Sequence, residues 1–282
     1  METIGIIAAM SQEKRALIRH AGKTERGKLG RFRCYRFQLS GRNCLLVESG
    51  IGIRRAMDAA RTLIAAADPQ LIVSFGVAGA VRDDLKVGDV IAASQTFLLD
   101  GGRESMFNNL DPISVAAMLA AEHVLERRGA RLVSGTVITT RLSNASGLLP
   151  EGISNPILDM ETAGIAQAAL DHGTPILALR AVSDGPSEPL SFNLEAMTDE
   201  DFNLSIPKAA RMVILRPRFV LASIRIIRNV KKASDNAAVA LAAVMGQADI
   251  FERLKDDRIP VEILPSAPES VDIGLETEGE YL

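Results

Sequence analysis

Four carboxylates stand where side chains could reach a bound molecule: Glu13, Asp159, Glu161 and Asp184. Each closes or closely follows a short apolar run of strand type, and in α/β sheets ligands gather at the carboxyl ends of strands. Acids at three strand ends suit cleavage of a glycosidic bond, where positive charge develops on a sugar. One acid can protonate the leaving group, one can activate water and one can hold sugar hydroxyls. Plainer readings stand beside this one. Acids at 159 and 161 also suit the start of a helix, Asp184 suits a turn, and Glu13 suits a solvated helix face. The turns Ser49-Gly50-Ile51-Gly52, Ser74 to Gly79 and Ser134-Gly135 add glycines whose free N–H groups could meet a ligand. Gly50-x-Gly52 lacks the third glycine of a dinucleotide fingerprint and no Walker lysine follows it. His20, His123 and His172 fall on helical segments and read as surface residues, without metal-ligand spacing. There is no Gly-x-Ser-x-Gly elbow. The chemistry-bearing residues therefore describe a small-molecule enzyme that needs no metal and no cofactor.

The elements that must position these residues alternate in type. Residues 3–8 read as a buried strand and 12–20 as a helix. Residues 32–39 and 43–48 read as a hairpin, turned by Ser40-Gly41-Arg42-Asn43. A helix follows Gly52, with Met57, Ala60, Ile64 and Ala67 at helical spacing. Residues 71–75 read as a strand running into the loop Gly76-Val77-Ala78-Gly79. Strands are expected at 88–93, 131–138 and 175–182, and helices at 113–127 and after Met160. Continuous apolar strands interleaved with helices give an α/β class, a three-layer α/β/α sandwich around a mixed sheet covered on both faces. No internal repeat is present.

The 282 residues, 47% of them hydrophobic, can close one substantial core. Thirty-two Lys and Arg against 35 Asp and Glu leave a net charge of −3, too balanced for a general nucleic-acid binder. Two cysteines, Cys34 and Cys44, make no disulfide framework and read as buried thiols of a reduced, cytoplasmic protein. No apolar run reaches membrane-span length, and the N-terminus lacks the basic start of a signal peptide. Residues 1–250 are read as one catalytic domain, with a basic helical segment at 203–245. Residues 251–282 are read as an acidic, Pro-containing tail. Between 211 and 232 there are Arg211, Arg216, Arg218, Arg225, Arg228, Lys231 and Lys232, and no acid. Such a basic amphipathic stretch can lie on an anionic membrane surface. It can equally pack on the core or on a partner subunit with its arginines solvated.

At these same residues the chain resembles the purine nucleoside phosphorylase/uridine phosphorylase superfamily, and within it the methylthioadenosine/S-adenosylhomocysteine nucleosidase branch. The resemblance runs collinearly over residues 3–190. It rests on Ile4-Gly5-Ile6-Ile7-Ala8-Ala9-Met10-Ser11-Gln12-Glu13, Glu48-Ser49-Gly50-Ile51-Gly52, Ser74-Phe75-Gly76-Val77-Ala78-Gly79 and Leu85-Lys86-Val87-Gly88-Asp89-Val90. Val133-Ser134-Gly135, Asp159-Met160-Glu161-Thr162-Ala163 and Arg180-Ala181-Val182-Ser183-Asp184 complete it. The resemblance implies a mixed sheet flanked by helices, a homodimer and a purine nucleoside as ligand. It implies that Asp184, beside Ser183, protonates or hydrogen-bonds purine N7, and that Glu13 orients or deprotonates the attacking water. Glu161 would grip the ribose hydroxyls with Asp159 near it and Met160 under the sugar. Val77 and Ala78 would lie on the nucleophile side, and backbone near Ile138 would meet the base.

The sequence departs from that branch in three places. Asp159 replaces the first Glu of Glu-Met-Glu, Ile138 stands where an aromatic stacks on the base, and Val77 replaces a serine. After Asp184 the layout, with Asn203-Leu204-Ser205-Ile206-Pro207-Lys208 and Leu215-Arg216-Pro217-Arg218, is similar to the hopanoid-associated nucleosidase/phosphorylase subfamily. That similarity implies adenosylhopane, an adenine nucleoside with a polycyclic lipid tail, met at a bilayer. A phosphorylase would converge arginines and N–H groups on a phosphate, and Arg54 and Arg55 keep that alternative in view. Glu13 would repel phosphate and favours water. A nucleoside-binding module without catalysis is the remaining alternative.

Overall fold

The computed structural model describes residues 3–100, 103–111, 113–141, 149, 152–186 and 218–248. Ten strands and five helices are built from them. The strands are β1 (Thr3–Ala8), β2 (Glu25–Leu29), β3 (Phe32–Leu39), β4 (Arg42–Glu48), β5 (Leu71–Ala80), β6 (Val90–Asp100), β7 (Arg103–Asn109), β8 (Leu132–Thr140), β9 (Pro156–Asp159) and β10 (Ile176–Asp184). The helices are α1 (Ser11–Ile18), α2 (Ile53–Ala67), α3 (Val115–Glu126), α4 (Thr162–Leu170) and α5 (Arg218–Met245).

Burial explains which strands are central. β1 is apolar almost throughout and lies between β4 and β5, parallel to both. With both edges paired and both faces covered, it has no solvent side to require alternation. β2 is charged and exposed at the sheet's edge, where charge discourages pairing with other chains. The sheet runs β10-β6-β8-β9-β5-β1-β4-β3-β2, and β10 also pairs with β5. Five strands, β5, β9, β8, β6 and β10, therefore close a ring, from which β1, β4, β3 and β2 extend as a wing. The α/β class with a mixed, helix-flanked sheet holds, and closure of the ring is the feature that periodicity did not reveal.

Helices cover two faces. α1, α3 and α5 share one apolar cluster with Leu71, Val73 and Phe75 of β5 and Leu177, Leu179 and Ala181 of β10. α2 and α4 share another with Ile72, Ala78, Ala178 and Val182. Strand side chains alternate between faces, so Ser74 and Arg180 belong to the α2/α4 side. α5 is described from Arg218 to Met245. Its half from Ala233 to Met245 is mostly buried, whereas Arg225, Ile227, Arg228, Lys231 and Lys232 are exposed. The expected tail and the first part of the basic segment, up to residue 217, lie outside the described residues.

Candidate active site

The site is organised around β5. The expected strand 71–75 continues to Ala80, and the stretch expected to be a loop is its C-terminal half. Gly76 pairs with Arg180 of β10, and Gly79 pairs with Asp184 on one edge and Leu158 on the other. Glycine leaves room here for neighbouring charged side chains. A Cβ on Gly76 would collide with Arg180 Nη1 and Glu13 Oε1, and one on Gly79 would stand 3.1 Å from Asp184 Oδ2.

Glu13 occupies the first turn of α1 and is 1% exposed. Its Oε2 accepts the Met10 N–H at 2.8 Å, half of a capping box, and its Oε1 accepts the Val77 N–H at 2.9 Å. Burial raises the Glu13 pKa above its ordinary value, against the opposing pull of Arg180 and the N–H bonds. Glu161 precedes α4. Its Oε1 accepts the Gly52 N–H at 2.9 Å, and its Oε2 lies 3.8 Å from Arg180 Nη1. Gly52 reaches this position at φ +110, a conformation side chains disfavour. Burial, opposed by Arg180, pushes the Glu161 carboxyl up to about 7.

Arg180 connects these groups and is 1% exposed. Its Nε donates to Thr162 Oγ1 at 3.1 Å and its Nη2 to Ser74 Oγ at 2.8 Å, with Asp159 Oδ2 at 2.9 Å. Its Nη1, beside both glutamates, has no hydrogen-bond partner among the described residues. This residue was missed as functional. The signal was in the sequence, since a lone charge inside Leu177-Ala178-Leu179-Arg180-Ala181-Val182 must find an acid partner when buried.

The remaining expected residues are distributed as follows. Asp184 ends β10 half-exposed, with Ser183 Oγ 2.6 Å from its Oδ1 and 3.2 Å from the Ala78 carbonyl. Val77 and Gly79 are two residues apart on β5, about 7 Å along a strand. Glu13 and Asp184 thus bracket one short stretch of chain from opposite ends. Met160 and Val77 are half-buried between the acids, and Ala78 is buried. Asp159 behaves differently from a sugar ligand. Its Oδ1 accepts Thr139 Oγ1 at 2.7 Å, and its Oδ2 accepts the Thr162 N–H at 2.9 Å, the Thr162 hydroxyl and Arg180. With both oxygens engaged inside the protein, Asp159 holds Arg180 and the start of α4. The Ile138 side chain is fully buried in a small cluster with Phe97 and Leu99, so it offers no face for stacking. Ser134-Gly135 sits early in β8, next to Asn155, away from the acids.

The fold is thus a ring-closed mixed sheet with buried acids held around a glycine-bearing central strand. The sequence model of the phosphorylase superfamily matches residues 3–215, and the chain belongs to that family. Among its relatives, a 5′-methylthioadenosine/S-adenosylhomocysteine nucleosidase of Baumannia cicadellinicola is 26% identical over 64% of this chain and 85% of its own. One from Haemophilus influenzae is 25% identical over 68% and 90%. The nucleosidase of Neisseria meningitidis, solved with methylthio-immucillin-A, superposes with a TM-score of 0.64 at 23% identity, covering 87% of this chain and 99% of that one. A futalosine hydrolase of Helicobacter pylori shares the fold at a TM-score of 0.64 and 18% identity, over 86% and 97%.

Proposed function

We propose that the protein is a nucleosidase that hydrolyses the N-glycosidic bond of a 5′-substituted adenosine. The observation that carries this reading is the convergence at β5 of Glu13, Glu161 and Arg180 Nη1, which pairs with Glu161 but makes no hydrogen bond among the described residues, with Asp184 across Gly79. Asp184 gives a proton to purine N7 as the C1′–N9 bond breaks, and its electron pair leaves with the base. Glu161, with Met160 beneath the sugar, accepts hydrogen bonds from the ribose hydroxyls. Arg180 Nη1 donates to the attacking water, and Glu13 takes the water's proton as oxygen joins C1′. The products are adenine and the 5-substituted ribose. A carboxylate hydrogen-bonded to the Val77 N–H would repel a phosphate dianion, and of the two arginines of the phosphorolysis reading Arg54 is exposed and Arg55 packs against Gly50, so water is favoured over phosphorolysis. The names borne by the relatives support the adenosine class. The test is release of adenine from methylthioadenosine in phosphate-free buffer. A strict need for phosphate, with sugar 1-phosphate found by mass spectrometry, overturns hydrolysis. Binding without any release from methylthioadenosine or a bulkier analogue favours the binding module.

The finer reading is a lipid-tailed substrate such as adenosylhopane, handled by a cytoplasmic homodimer with peripheral membrane contact through 211–232. Supporting it, α5 extends beyond its packed half with Ile227 60% exposed among Arg225, Arg228, Lys231 and Lys232. Among the described residues no helix is long and apolar enough to cross a membrane. On α3, Val115 and Leu119 are 72% and 59% exposed, apolar surface that a second subunit would cover. Cosedimentation with anionic liposomes, abolished by neutralising Arg225 and Arg228, is the expected result. No sedimentation of the intact chain removes the membrane contact.

A further inference from the structure

Behind the site lies a second charged cluster that the proposed chemistry does not use. Glu48 ends β4, directly across from Ala8 of β1. Its carboxylate accepts the Ser11 hydroxyl on Oε1, and its Oε2 accepts Lys14 Nζ at 3.0 Å and Tyr35 Oη at 3.4 Å. Lys14 Nζ also donates to Tyr35 Oη at 3.0 Å and stands 4.7 Å from the centre of that ring. The Glu48 and Lys14 side chains are 9% and 12% exposed. Burial alone would raise the Glu48 carboxyl. Hydrogen bonds from Ser11 and Lys14, and the charges of Lys14 and Arg33, hold it below its ordinary value.

The position of this cluster is its informative property. Ser11 and Lys14 flank Glu13 in the first turn of α1, and Glu48 immediately precedes the turn whose Gly52 N–H holds Glu161. One carboxylate is therefore attached to both backbone segments that aim the two buried glutamates. A largely buried ion pair is weak evidence for stability, because desolvation offsets most of its attraction. Its placement between the two turns that hold Glu13 and Glu161 is better explained by geometry. We propose that Glu48, paired with Lys14, is a positioning residue that fixes the first turn of α1 and so sets the Glu13 carboxylate against the Val77 N–H.

The inference rests on the hydrolytic reading and is tested so that the two can fail separately. Glu48→Gln and Lys14→Met should each lower kcat about ten- to a hundred-fold with KM changed less than about two-fold, the scale at which a ~1 Å misplacement acts. The double variant should be no slower than the singles, because both break one device. Lys14→Arg, which keeps a cation on Glu48, should retain most of the turnover. Melting curves confirm that each variant is folded. Wild-type kcat in Glu48→Gln, a loss confined to KM, or multiplying effects in the double variant overturns the proposal. If the wild-type chain releases no adenine, the hydrolytic reading fails instead, and a crystal structure of Glu48→Gln decides the positioning. Glu13 Oε1 displaced from the Val77 N–H supports it, and an unmoved Glu13 refutes it.

Discussion

Glu161 is held in two conflicting ways, and the conflict makes its behaviour predictable. Its carboxyl sits at about 7 rather than at the ordinary 4.5 because burial disfavours the charge more than Arg180 restores it. Between those two pH values the native state binds a proton that the unfolded chain releases. The resulting stability is present below about pH 4.5 and lost as pH rises to about 7. At 1.36 kcal/mol per unit, carrying this charge at pH 8 costs on the order of 3 kcal/mol. Glu161→Gln keeps an oxygen for the Gly52 N–H without the charge. It should therefore raise Tm at pH 8, leave Tm nearly unchanged at pH 5, and abolish adenine release. A lower Tm at pH 8 would show that the Arg180 pairing outweighs desolvation. Glu13 is raised by the same cause. Since both glutamates act ionised in the proposed mechanism, kcat/KM in the wild type should fall as pH drops below about 7, where Glu161 titrates. The leaving-group acid is a separate test: Asp184→Asn should cost about 10²–10⁴-fold in rate, the usual contribution of an acid–base group, with the fold intact.

β5 shows why spacing disclosed the participants but not their arrangement. The apolar run 71–75 was recognisable, yet Gly76-Val77-Ala78-Gly79 reads locally as a turn because glycine is rare inside strands. Only contacts distant in sequence, Arg180, Glu13 and Asp184, explain why side chains are excluded there. The same limitation hid β2, whose charges carry no apolar pattern, and ring closure, which is a pairing of β10 with β5 across more than ninety residues. What could be read early were acids at or after strand ends: Glu13 meets β5 at the Val77 N–H and Asp184 at Gly79, while Glu161 is held by Gly52 and Arg180. Asp159 could not be distinguished from Glu161, since both are acids at one strand end and only the hydroxyls of Thr139 and Thr162 decide between them. Gly76→Ala should therefore fold, because the clash falls on the ends of two side chains, while turnover drops at least about ten-fold as Glu13 and Arg180 are displaced. Wild-type turnover in that variant would mean the two groups need no fixed geometry.

Across the whole molecule, the apolar cluster under α5 and the buried Arg180 network lie on different sides of the sheet. α5 packs between α1 and α3 and supplies Ala233, Ala237, Leu241 and Val244 to the cluster beneath β5 and β10. Arg180, Ser74 and Thr162 belong to the opposite side, with α4. Polar ties fix α5 in place: buried Asn236 donates to the Gly88 carbonyl at 2.8 Å and accepts Arg128 Nε at 2.8 Å, joining the helix to the approach to β6 and the end of α3. Leu241 is fully buried among these elements. Leu241→Ala removes its contacts and leaves a cavity, which costs about 2–5 kcal/mol. Strands paired on both edges separate Leu241 from Arg180 and Glu161, while Glu13, on the α1 that shares the α5 face, is held by the Val77 and Met10 N–H groups rather than by Leu241. Denaturant midpoint should therefore fall while kcat and KM at 25 °C stay within about two-fold of wild type, since an effect confined to the folded fraction leaves the folded molecule's geometry intact. Parallel loss of turnover per folded molecule would instead show that the helix-covered face transmits strain to β5, and that the ring of strands is less rigid than its closure implies.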